Sequence, residues 1–531
     1  MPHRGHAAAA GKSSPPDAGY ASPMLTVLAL FSCVTVEARG TLRGPGTDPT
    51  EPTGPTRPPR DTAADTADSH GTTEVETVTV AHARELRGLW IATVWNIDFP
   101  SRTGLTADAS KAELDVIVDV AARSGLNALF FQVRPEGDAL YASSIEPWSR
   151  WLTGSQGADP GYDPLAYLLE IAHARGLEVH AWLNPYRAAV SSGDPVVSPH
   201  MAAVWPQHAH TYAGYLWMDP GAAEVRQRCV EVAADLAANH GVDGVHLDDY
   251  FYPYPDGTDF LDTTTWNAYV AGGGGLSRDD WRRDNVNQLV AELAAAVRAA
   301  DPEVRFGIAP FGIYRPGQPA GITGLDQYAE LYSDPLHWLD AGDVDYLAPQ
   351  LYWPTTQTAQ AYEPLLAWWS DQLTGDRHIF AGNALYQLGS SSAWTIGEIE
   401  AQVAVSRAYA SAGSLGNIHY NTSALLDDLS GVQATFAATY AAPALPPPVP
   451  GVAGVVVPIP RVAADGGSWT ITHDDPTIRG FTVYAEDSDG WRLDRIVPGV
   501  SASVVLGSGR WAVAVVSRGD VESLGVVVDG G

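Results

Sequence analysis

Eight short apolar runs alternate with helical stretches over about 350 residues, and this alternation constrains the fold more than any other feature of the sequence. The strand-like runs are, in order, ELRGLWIATVW, NALFFQVRP, LEVHAWLNPYR, GVDGVHLDDY, VRFGIAPFGIYR, VDYLAPQLYWP, HIFAGNALYQ and GNIHYN. Ala-rich segments such as ADASKAELDVIVDVAARSG and DPLAYLLEIAHARG lie between them, and several end in the glycine that favours a helix C-terminus. The pattern predicts an α/β fold, a (β/α)8 TIM barrel with long loops. A doubly wound open sheet is the alternative.

Changes in composition divide the chain into five segments. Residues 1–39 form a leader region, and residues 40–80 are rich in Thr, Pro, Asp and Gly, which predicts a disordered linker. The barrel is expected over residues 81–440. The sequence AAPALPPPVPG predicts a stiff Pro-rich hinge over 441–452. Short alternating runs over 453–531 predict a small all-β, fibronectin-III-like sandwich that serves as a spacer or binding module.

The apolar run MLTVLALFSC, from Met24 to Cys33, is too short to span a bilayer but suits the core of a signal peptide. Its ending resembles a bacterial lipoprotein processing site, in which Cys33 is the lipidated residue. Cleavage elsewhere, or a misassigned start codon, is the alternative. We therefore predict a secreted or envelope-anchored protein that meets a membrane only through such a lipid anchor.

The charge balance excludes several classes of partner. A net charge of −31 repels nucleic acid and anionic membrane surfaces, so neither is expected to bind. The two cysteines, Cys33 and Cys229, do not make a disulfide framework. No G-x-G-x-x-G follows the first strand, and no cofactor is predicted.

Strand alternation sorts the side chains at the carboxyl ends of the strands, because the outer face of a barrel strand packs against helices and must be apolar. In GVHLDD, Val245 and Leu247 form the apolar set, so His246 and Asp248 are predicted to face inward. Asp249 falls on the other parity or in the following loop. The same argument points side chains of four other strands inward: Gln132 and Arg134; His180, Trp182 and Asn184; Tyr346, Gln350 and Tyr352; and Asn417, His419 and Asn421.

Polar groups therefore collect at the C-terminal face of the predicted barrel, where such barrels carry their active sites. A layer of side chains that hydrogen-bond only to one another is the alternative. Aromatic residues crowd the same strand ends: Trp90, Trp95, Trp148, Trp151, Tyr186, Tyr250, Tyr252, Trp353 and Tyr386. Aromatic faces beside amides and carboxylates suit a sugar ring, which has apolar faces and a rim of hydroxyl groups.

Cleavage of a glycosidic bond needs two carboxyl groups, about 5–5.5 Å apart for retention of configuration and about 6.5–9.5 Å apart for inversion. Asp248 is the best candidate for the nucleophile or base. Its partner is sought among four carboxyl groups: Asp249, Asp138, Glu136 and Asp256. Asp138 is favoured because it stands beside Arg134 at a neighbouring strand end; its alternative role is a turn residue after Gly137. Asp249 could instead cap a turn or bind sugar hydroxyls.

Two other hydrolytic chemistries fit less well. His208 and His210, together with His246, suggest a metal-dependent hydrolase, but no H-E-x-x-H or comparable helical spacing supports it, and no metal is predicted. A serine nucleophile lacks a G-x-S-x-G turn.

Six motifs follow one another in an order that resembles the glycosyl-hydrolase-like 10 family of bacterial cell-envelope proteins: ELRGLWIATVWNIDFPS, FFQVRPEGDALYASSIEPWSRWLTGSQGADPGYDPL, EVHAWLNPYR, GVHLDDYFYPYP, GIAPFGIYR and DYLAPQLYWP. The resemblance spans about Glu85 to Tyr440. It implies a (β/α)8 barrel, export, often a lipoprotein start, and activity on bacterial wall glycan. The family's motif positions are here Arg134, Asp138, Asn184, Arg187, Asp248, Asp249, Gln350 and Tyr352.

A wider comparison bears on the roles of the acids. DGVHLD, from Asp243 to Asp248, is similar to the fourth-strand pattern of the α-amylase superfamily, which implies Asp248 as nucleophile, with His246 in place of the usual arginine. The stretch partly resembles the chitinase D-G-x-D-x-D-x-E, but Tyr250 occupies the position of its catalytic glutamate. Strand five lacks the acid that amylases carry there, so neither resemblance supplies a general acid.

The whole sequence predicts a glycoside hydrolase that cleaves a cell-wall glycan, either peptidoglycan strands or a related polysaccharide. Asp248 is the predicted nucleophile or base, with Asp138 or Asp249 as its partner. Substrate binding is assigned to Arg134, Gln132, Asn184, Arg187, His246, Tyr250, Gln350, Tyr352, Trp353 and Asn421. The alternative is a non-catalytic glycan-binding barrel whose carboxylates only hold sugar hydroxyls.

Overall fold

A computed structural model describes residues 75–452 and 454–531, so the predicted leader, Cys33 and most of the predicted linker lie outside the described residues. All eight predicted barrel strands form. They are β1 (Leu86–Ile91), β2 (Ala128–Arg134), β3 (Glu178–Leu183), β4 (Gly244–Leu247), β5 (Arg305–Ile308), β6 (Tyr346–Leu347), β7 (His378–Ala384) and β8 (Ser414–Tyr420). Each strand is parallel to the next, and β8 pairs with β1 to close the barrel. The predicted TIM barrel is confirmed, and the open sheet is excluded.

Helices alternate with the strands and cover the barrel. The longer helices are Ala107–Arg123, Pro164–His173, Ala223–Asn239, Thr263–Ala271, Arg278–Ala300, Pro335–Ala341, Tyr362–Asp371, Ile396–Ala408 and Val432–Thr439. Shorter ones are Arg150–Thr153, Met201–Val204, Gln327–Glu330 and Thr422–Leu426. Thr106, Asp163 and Ser277 each begin a helix by accepting a hydrogen bond from a main-chain N–H of its first turn. Within residues 75–452 and 454–531, no helix is long and apolar enough to cross a membrane.

Aromatic side chains fill the interior of the barrel. Five of them are Trp90, Phe130, Trp182, Tyr346 and Phe380. The intervening residues of the same strands pack outward against the helices, as Val245 and Leu247 do on β4. The alternation predicted for β4 is therefore confirmed. Asp248 follows this strand at the C-terminal end of the barrel.

The alternation predicted for β8 is wrong. Asn417 points outward and donates a hydrogen bond to Ser406 on the outer helix Ile396–Ala408. His419 also points outward, and its Nε2 hydrogen-bonds to the hydroxyl of Tyr440. Ile418 faces the interior instead. These polar groups are buried between barrel and helices and are paired there, so polarity did not distinguish the inner face from the outer one.

Antiparallel strands after the barrel form the predicted small all-β domain, in two sheets. One sheet contains Arg461–Asp465, Ser468–Thr472 and Ser501–Val504. The other contains Thr77–Val78, Gly480–Asp487, Gly490–Pro498, Gly509–Val516 and Gly525–Gly530. Thr77–Val78 falls at the end of the predicted linker and pairs with the last strand of the chain. The segments that precede and follow the barrel therefore meet in one sheet.

Buried charges join this domain to the N-terminal end of the barrel. Arg479 of the domain contacts Glu178, the first residue of β3, with 2.6 Å between Nη1 and Oε1. Arg479 also lies 3.2 Å from Asp520, and Asp520 pairs with Arg305, the first residue of β5. Burial alone would raise the pKa of Glu178, but the guanidinium groups of Arg479 and Arg305 outweigh it and hold that pKa well below its ordinary value.

The predicted hinge, residues 441–452, is packed rather than free. Leu445 and Val449 are buried, and the N–H of Val449 donates to the carbonyl of Gly519 at 3.0 Å. The carbonyl of Pro447 accepts a hydrogen bond from Arg305. The segment therefore fastens the all-β domain to the barrel instead of separating the two.

Candidate active site

Asp248 follows β4 directly, at the C-terminal mouth of the barrel. Its Oδ2 accepts hydrogen bonds from Trp182 Nε1 at 3.1 Å and from Asn184 Nδ2 at 2.5 Å. Its Oδ1 accepts one from the main-chain N–H of Tyr250 at 3.2 Å. Burial raises the pKa of Asp248, while the positive charge of Arg187 and these three donors oppose the rise. The carboxylate is therefore held in one orientation with its charge partly compensated.

Asn184 is itself oriented by two donors. Its Oδ1 accepts hydrogen bonds from Gln132 Nε2 at 2.6 Å and from Arg187 Nη2 at 2.8 Å. Because that oxygen is occupied, the amide N–H groups of Asn184 point to Asp248. Arg187 begins a short strand, Arg187–Ala189, and its guanidinium also lies over the ring of Tyr250. Three of the predicted binding residues, Gln132, Asn184 and Arg187, are thus brought together around the acid.

Asp249 has a different environment from its neighbour. Its carboxyl group is buried and accepts hydrogen bonds from the hydroxyl of Tyr254 and from the side chain of Gln350. Burial, and then the negative charge of Asp248, raises the pKa of Asp249 to about 7 against the opposing effect of these hydrogen bonds. The two neighbouring carboxyl groups therefore differ: the pKa of Asp249 is raised to about 7, whereas the rise at Asp248 is opposed by Arg187 and by three hydrogen-bond donors.

Asp138 does not lie in this pair, contrary to the prediction. It is fully buried in the loop after β2, where the negative charges that act on it are those of Glu136 and Glu146. Burial, followed by the charge of Glu136, raises the pKa of Asp138 to about 7. The pKa of Asp249, by contrast, is raised by burial and then by the negative charge of Asp248. Asp249, rather than Asp138, is therefore the carboxyl group beside Asp248.

Arg134 also differs from its prediction. A register shift just before Arg134 interrupts the alternation at the end of β2. Its guanidinium is fully buried and donates to both carboxylate oxygens of Glu146, to the carbonyls of Asn184 and Pro185, and to the sulfur of Met201. All five of its N–H groups are therefore used within the protein, and Arg134 braces the loops rather than binding substrate.

We expect Asp138→Asn to change the pH dependence of the protein's stability, because burial and the charge of Glu136 raise the pKa of Asp138 to about 7. A carboxyl group with a raised pKa lowers the free energy of unfolding as the pH rises from its unfolded pKa of about 4 to about 7. The variant should therefore gain stability relative to the native protein over that interval and keep a constant advantage above it. Thermal unfolding between pH 4 and pH 8 measures the difference; a difference that does not depend on pH contradicts the assignment.

Two groups of aromatic side chains surround the acid pair. One is Tyr352, Tyr386 and Tyr420, with ring centres 5.8 to 6.3 Å apart. The other is Tyr250, Tyr254, Phe311 and Trp353, each in contact with the next. Tyr386 is 40% exposed, so flat apolar surface reaches the solvent beside the acids. Such surface fits the C–H face of a sugar ring.

Tyr254 and Tyr420 were not predicted as site residues. Correct alternation on β8 identifies Tyr420, because Ile418 and Tyr420 then share the inner face. Tyr254 lies in the run YFYPYP, where Tyr252 is fully buried. Nothing in the sequence of that loop distinguishes the two tyrosines.

His246 belongs to the layer of side chains beneath the site. Its Nε2 accepts a hydrogen bond from Trp90 Nε1 at 3.1 Å, so its Nδ1–H donates to the hydroxyl of Tyr346 at 2.9 Å. Burial lowers the pKa of His246 well below its ordinary value, and the ring is neutral. Because the side chain is fully enclosed, the prediction that His246 binds substrate is wrong.

Three further candidates have other surroundings than those predicted. Glu136 forms an ion pair with Arg150 at 2.9 Å, and Asp256 is exposed. Asn421 is 8% exposed and lies beyond the end of β8, where strand alternation no longer applies.

The two histidines considered as metal ligands have separate partners. His208 pairs with Glu224 at 2.8 Å, and His210 lies 4.0 Å from Asp219. In the part of the chain that the structure describes, no group of three or more His, Cys, Asp or Glu side chains is placed to hold a metal ion.

An acid pair flanked by aromatic rings, at the C-terminal face of a TIM barrel, is the arrangement of a glycoside-hydrolase-like protein. The family model described as glycosyl hydrolase-like 10 matches residues 85–396, and the chain belongs to that family.

Curated relatives match the barrel region. Glycosyl hydrolase YngK of Bacillus subtilis is 42% identical over 318 residues, which are 58% of this chain and 62% of that protein. Glycosyl hydrolase DigH of Escherichia coli is 37% identical over 332 residues, 58% of this chain and 75% of that protein. The match thus spans less than two thirds of the Bacillus protein. Among solved structures, the glycoside hydrolase domain of PgaB from Bordetella bronchiseptica has a TM-score of 0.44 and 13% identity, covering 67% of this chain and 98% of that one.

Proposed function

We propose that this protein is an exported glycoside hydrolase that cleaves glycosidic bonds of bacterial cell-wall glycan, with peptidoglycan strands as its substrate. The observation that carries the proposal is the pair of adjacent acids, Asp248 and Asp249, which have different environments at an aromatic-lined mouth. Membership of the glycosyl hydrolase-like 10 family and relatives named as glycosyl hydrolases support it. Export is proposed from the N-terminal sequence, which lies outside the described residues.

In the proposed reaction, Asp249 donates a proton to the oxygen of the leaving sugar, because it is the member of the pair that holds a proton near pH 7. Asp248 stays ionised and stabilises the positive charge that develops at the anomeric carbon, as nucleophile or as base for a water molecule. Trp182 and Asn184 both donate to Oδ2 of Asp248, whereas the main-chain N–H of Tyr250 donates to Oδ1 at the longer distance of 3.2 Å, so Oδ1 is the oxygen assigned to the reaction.

The second candidate function is a glycan-binding barrel without catalysis. Asn184, Arg187 and the tyrosines around the acids could hold a sugar chain without cleaving it. The raised pKa of Asp249 favours the enzyme, because a carboxyl group that only accepts hydrogen bonds from hydroxyls is most effective when fully ionised.

Incubating the purified full chain with peptide-free glycan strands from peptidoglycan tests the proposal, with the appearance of new reducing ends as the readout. The Asp248→Asn protein is the matched control. New reducing ends formed by the native protein and not by the variant support hydrolysis. Native protein that binds the strands and forms no new ends would establish the binding barrel instead.

The rate of cleavage is expected to fall as the pH rises above about 7, because Asp249 then loses the proton that it must donate. Asp249→Asn should lower kcat by about 100-fold and abolish this alkaline limb. Tyr254→Phe removes a hydrogen bond that favours the ionised form, so it should move the limb to higher pH. Profiles of kcat against pH for the three proteins provide the measurement. An alkaline limb that persists in Asp249→Asn assigns the titration to another group.

A further inference from the structure

Trp95 lies in the loop after β1, at the same end of the barrel as the acid pair. It is 47% exposed. Of the chain's 17 tryptophans, all of which the structure describes, Trp95 alone is exposed rather than buried or half-buried. Large aromatic side chains contribute to stability by burying their surface, so the fold gains little from an indole in this position.

The main chain at Trp95 is also in an unfavourable conformation. Its φ is 56° and its ψ is 15°, and Asn96 follows with a φ of 53°. A bulky residue adopts positive φ only where surrounding contacts impose it. Three hydrogen bonds hold this turn: Asn96 N–H to Thr93 O at 3.0 Å, Ile97 N–H to Val94 O at 3.2 Å, and Asn96 Nδ2 to Trp151 O at 3.0 Å. The turn therefore presents the indole outward on a fixed backbone.

Side-chain amides connect the same turn to the acid pair. Gln132 Oε1 accepts hydrogen bonds from the main-chain N–H groups of Thr93 at 2.8 Å and Val94 at 3.0 Å. Gln132 Nε2 donates to Asn184 at 2.6 Å, and Asn184 donates to Asp248 at 2.5 Å. All of these side chains are buried, so the distance from the turn to the carboxylate of Asp248 is held constant.

We propose that Trp95 is a stacking platform for one sugar ring of the bound glycan. The ring whose glycosidic bond is cleaved lies at Asp248, and the distance between the two binding positions is fixed. An exposed indole offers the flat apolar face on which the C–H face of a pyranose packs. Ile97 is the other exposed large apolar side chain of this loop, and the two make a patch far smaller than a stable protein–protein interface needs. The inference rests on the proposed function and specifies a second point of contact along the same strand.

Binding measured without turnover tests this inference. The full-length Asp248→Asn protein is titrated calorimetrically with a peptide-free tetrasaccharide of alternating N-acetylglucosamine and N-acetylmuramic acid. Adding Trp95→Gly to that protein is expected to weaken the affinity by about tenfold or more, because a ring of the sugar loses its apolar partner. Trp95→Phe in the same background should restore most of the affinity.

Glycine at this position separates a binding role from a structural one. It adopts positive φ without strain, so Trp95→Gly should have the same Tm as its parent or a higher one. Weaker binding with an undiminished Tm supports the inference. Unchanged affinity overturns it, as does a weaker affinity that is accompanied by a lower Tm.

The outcomes for Trp95 and for the proposed hydrolysis can be distinguished. If the native protein cleaves strands and Trp95→Gly binds the tetrasaccharide normally, the role of Trp95 is wrong and the hydrolysis stands. If the native protein never cleaves but binding depends on Trp95, the hydrolysis is wrong and the platform stands. No binding of the tetrasaccharide by the parent protein overturns the platform.

Discussion

Asp248→Asn is expected to reduce the rate of glycan cleavage by at least about 1000-fold while leaving the fold intact. Asparagine has nearly the same shape as aspartate, and its amide oxygen keeps the hydrogen bonds from Trp182 and Asn184. What it loses is the negative charge that stabilises the transition state. Its NH2 group then faces the N–H of Tyr250, and two donors do not bond to each other. A loss of about 1 kcal/mol in the free energy of unfolding is expected from that contact.

Initial rates of reducing-end formation, together with urea unfolding of the same preparations, provide the measurement. Asp138→Asn is the matched control, since it makes the same chemical change in another buried aspartate of a barrel loop. A reduction of less than tenfold for a folded Asp248→Asn protein would remove Asp248 from the reaction. Similar losses in the two variants would contradict the assignment of Asp249, rather than Asp138, as the partner acid.

Arg479→Met is expected to lower the free energy of unfolding by about 3–5 kcal/mol, the largest effect on stability that we predict. The substitution removes a counter-charge from three buried acids, Glu178, Asp520 and Asp243, and Arg305 remains as the guanidinium partner of the first two. A buried charge without its counter-charge is costly because the protein interior solvates it poorly. Since the cluster joins the all-β domain to the barrel, the two should separate early in unfolding.

Urea unfolding followed by tryptophan fluorescence measures the difference. Arg510→Met is the control on the same domain, because Arg510 pairs with Glu486 at 3.1 Å at the surface. Water and salt screen that pair, so the control should lose little or no stability. Equal effects of the two substitutions would show that the buried cluster does not hold the domain to the barrel.

Strand periodicity identified part of the site correctly from the sequence. On β3 and β4 the apolar residues pack outward, and this alone predicts that Trp182, Asn184 and Asp248 meet at the barrel mouth. The argument succeeds because parallel barrel strands end at the same face, so residues remote in sequence are placed together by topology.

The same periodicity failed where the chain leaves a regular strand or buries polar groups on the outer face. A register shift precedes Arg134, and its guanidinium is buried in the wall of the barrel, where it pairs with Glu146. β4 ends at Leu247, so alternation no longer applies to Asp249, and its carboxyl group lies next to that of Asp248. On β8, the paired amide of Asn417 made the outer face polar.

The sequence by itself determined the barrel, the all-β domain and Asp248, because each depends on repeated local patterns of apolar and polar residues. The tertiary structure decided which carboxyl group lies beside Asp248, which tyrosines surround the two acids, and that the Pro-rich segment is packed. Those features depend on contacts between distant loops, such as that of Gln350 with Asp249 and that of Arg305 with Pro447. A pKa set by burial and by a neighbouring charge exists only once the folded chain has removed water from both groups.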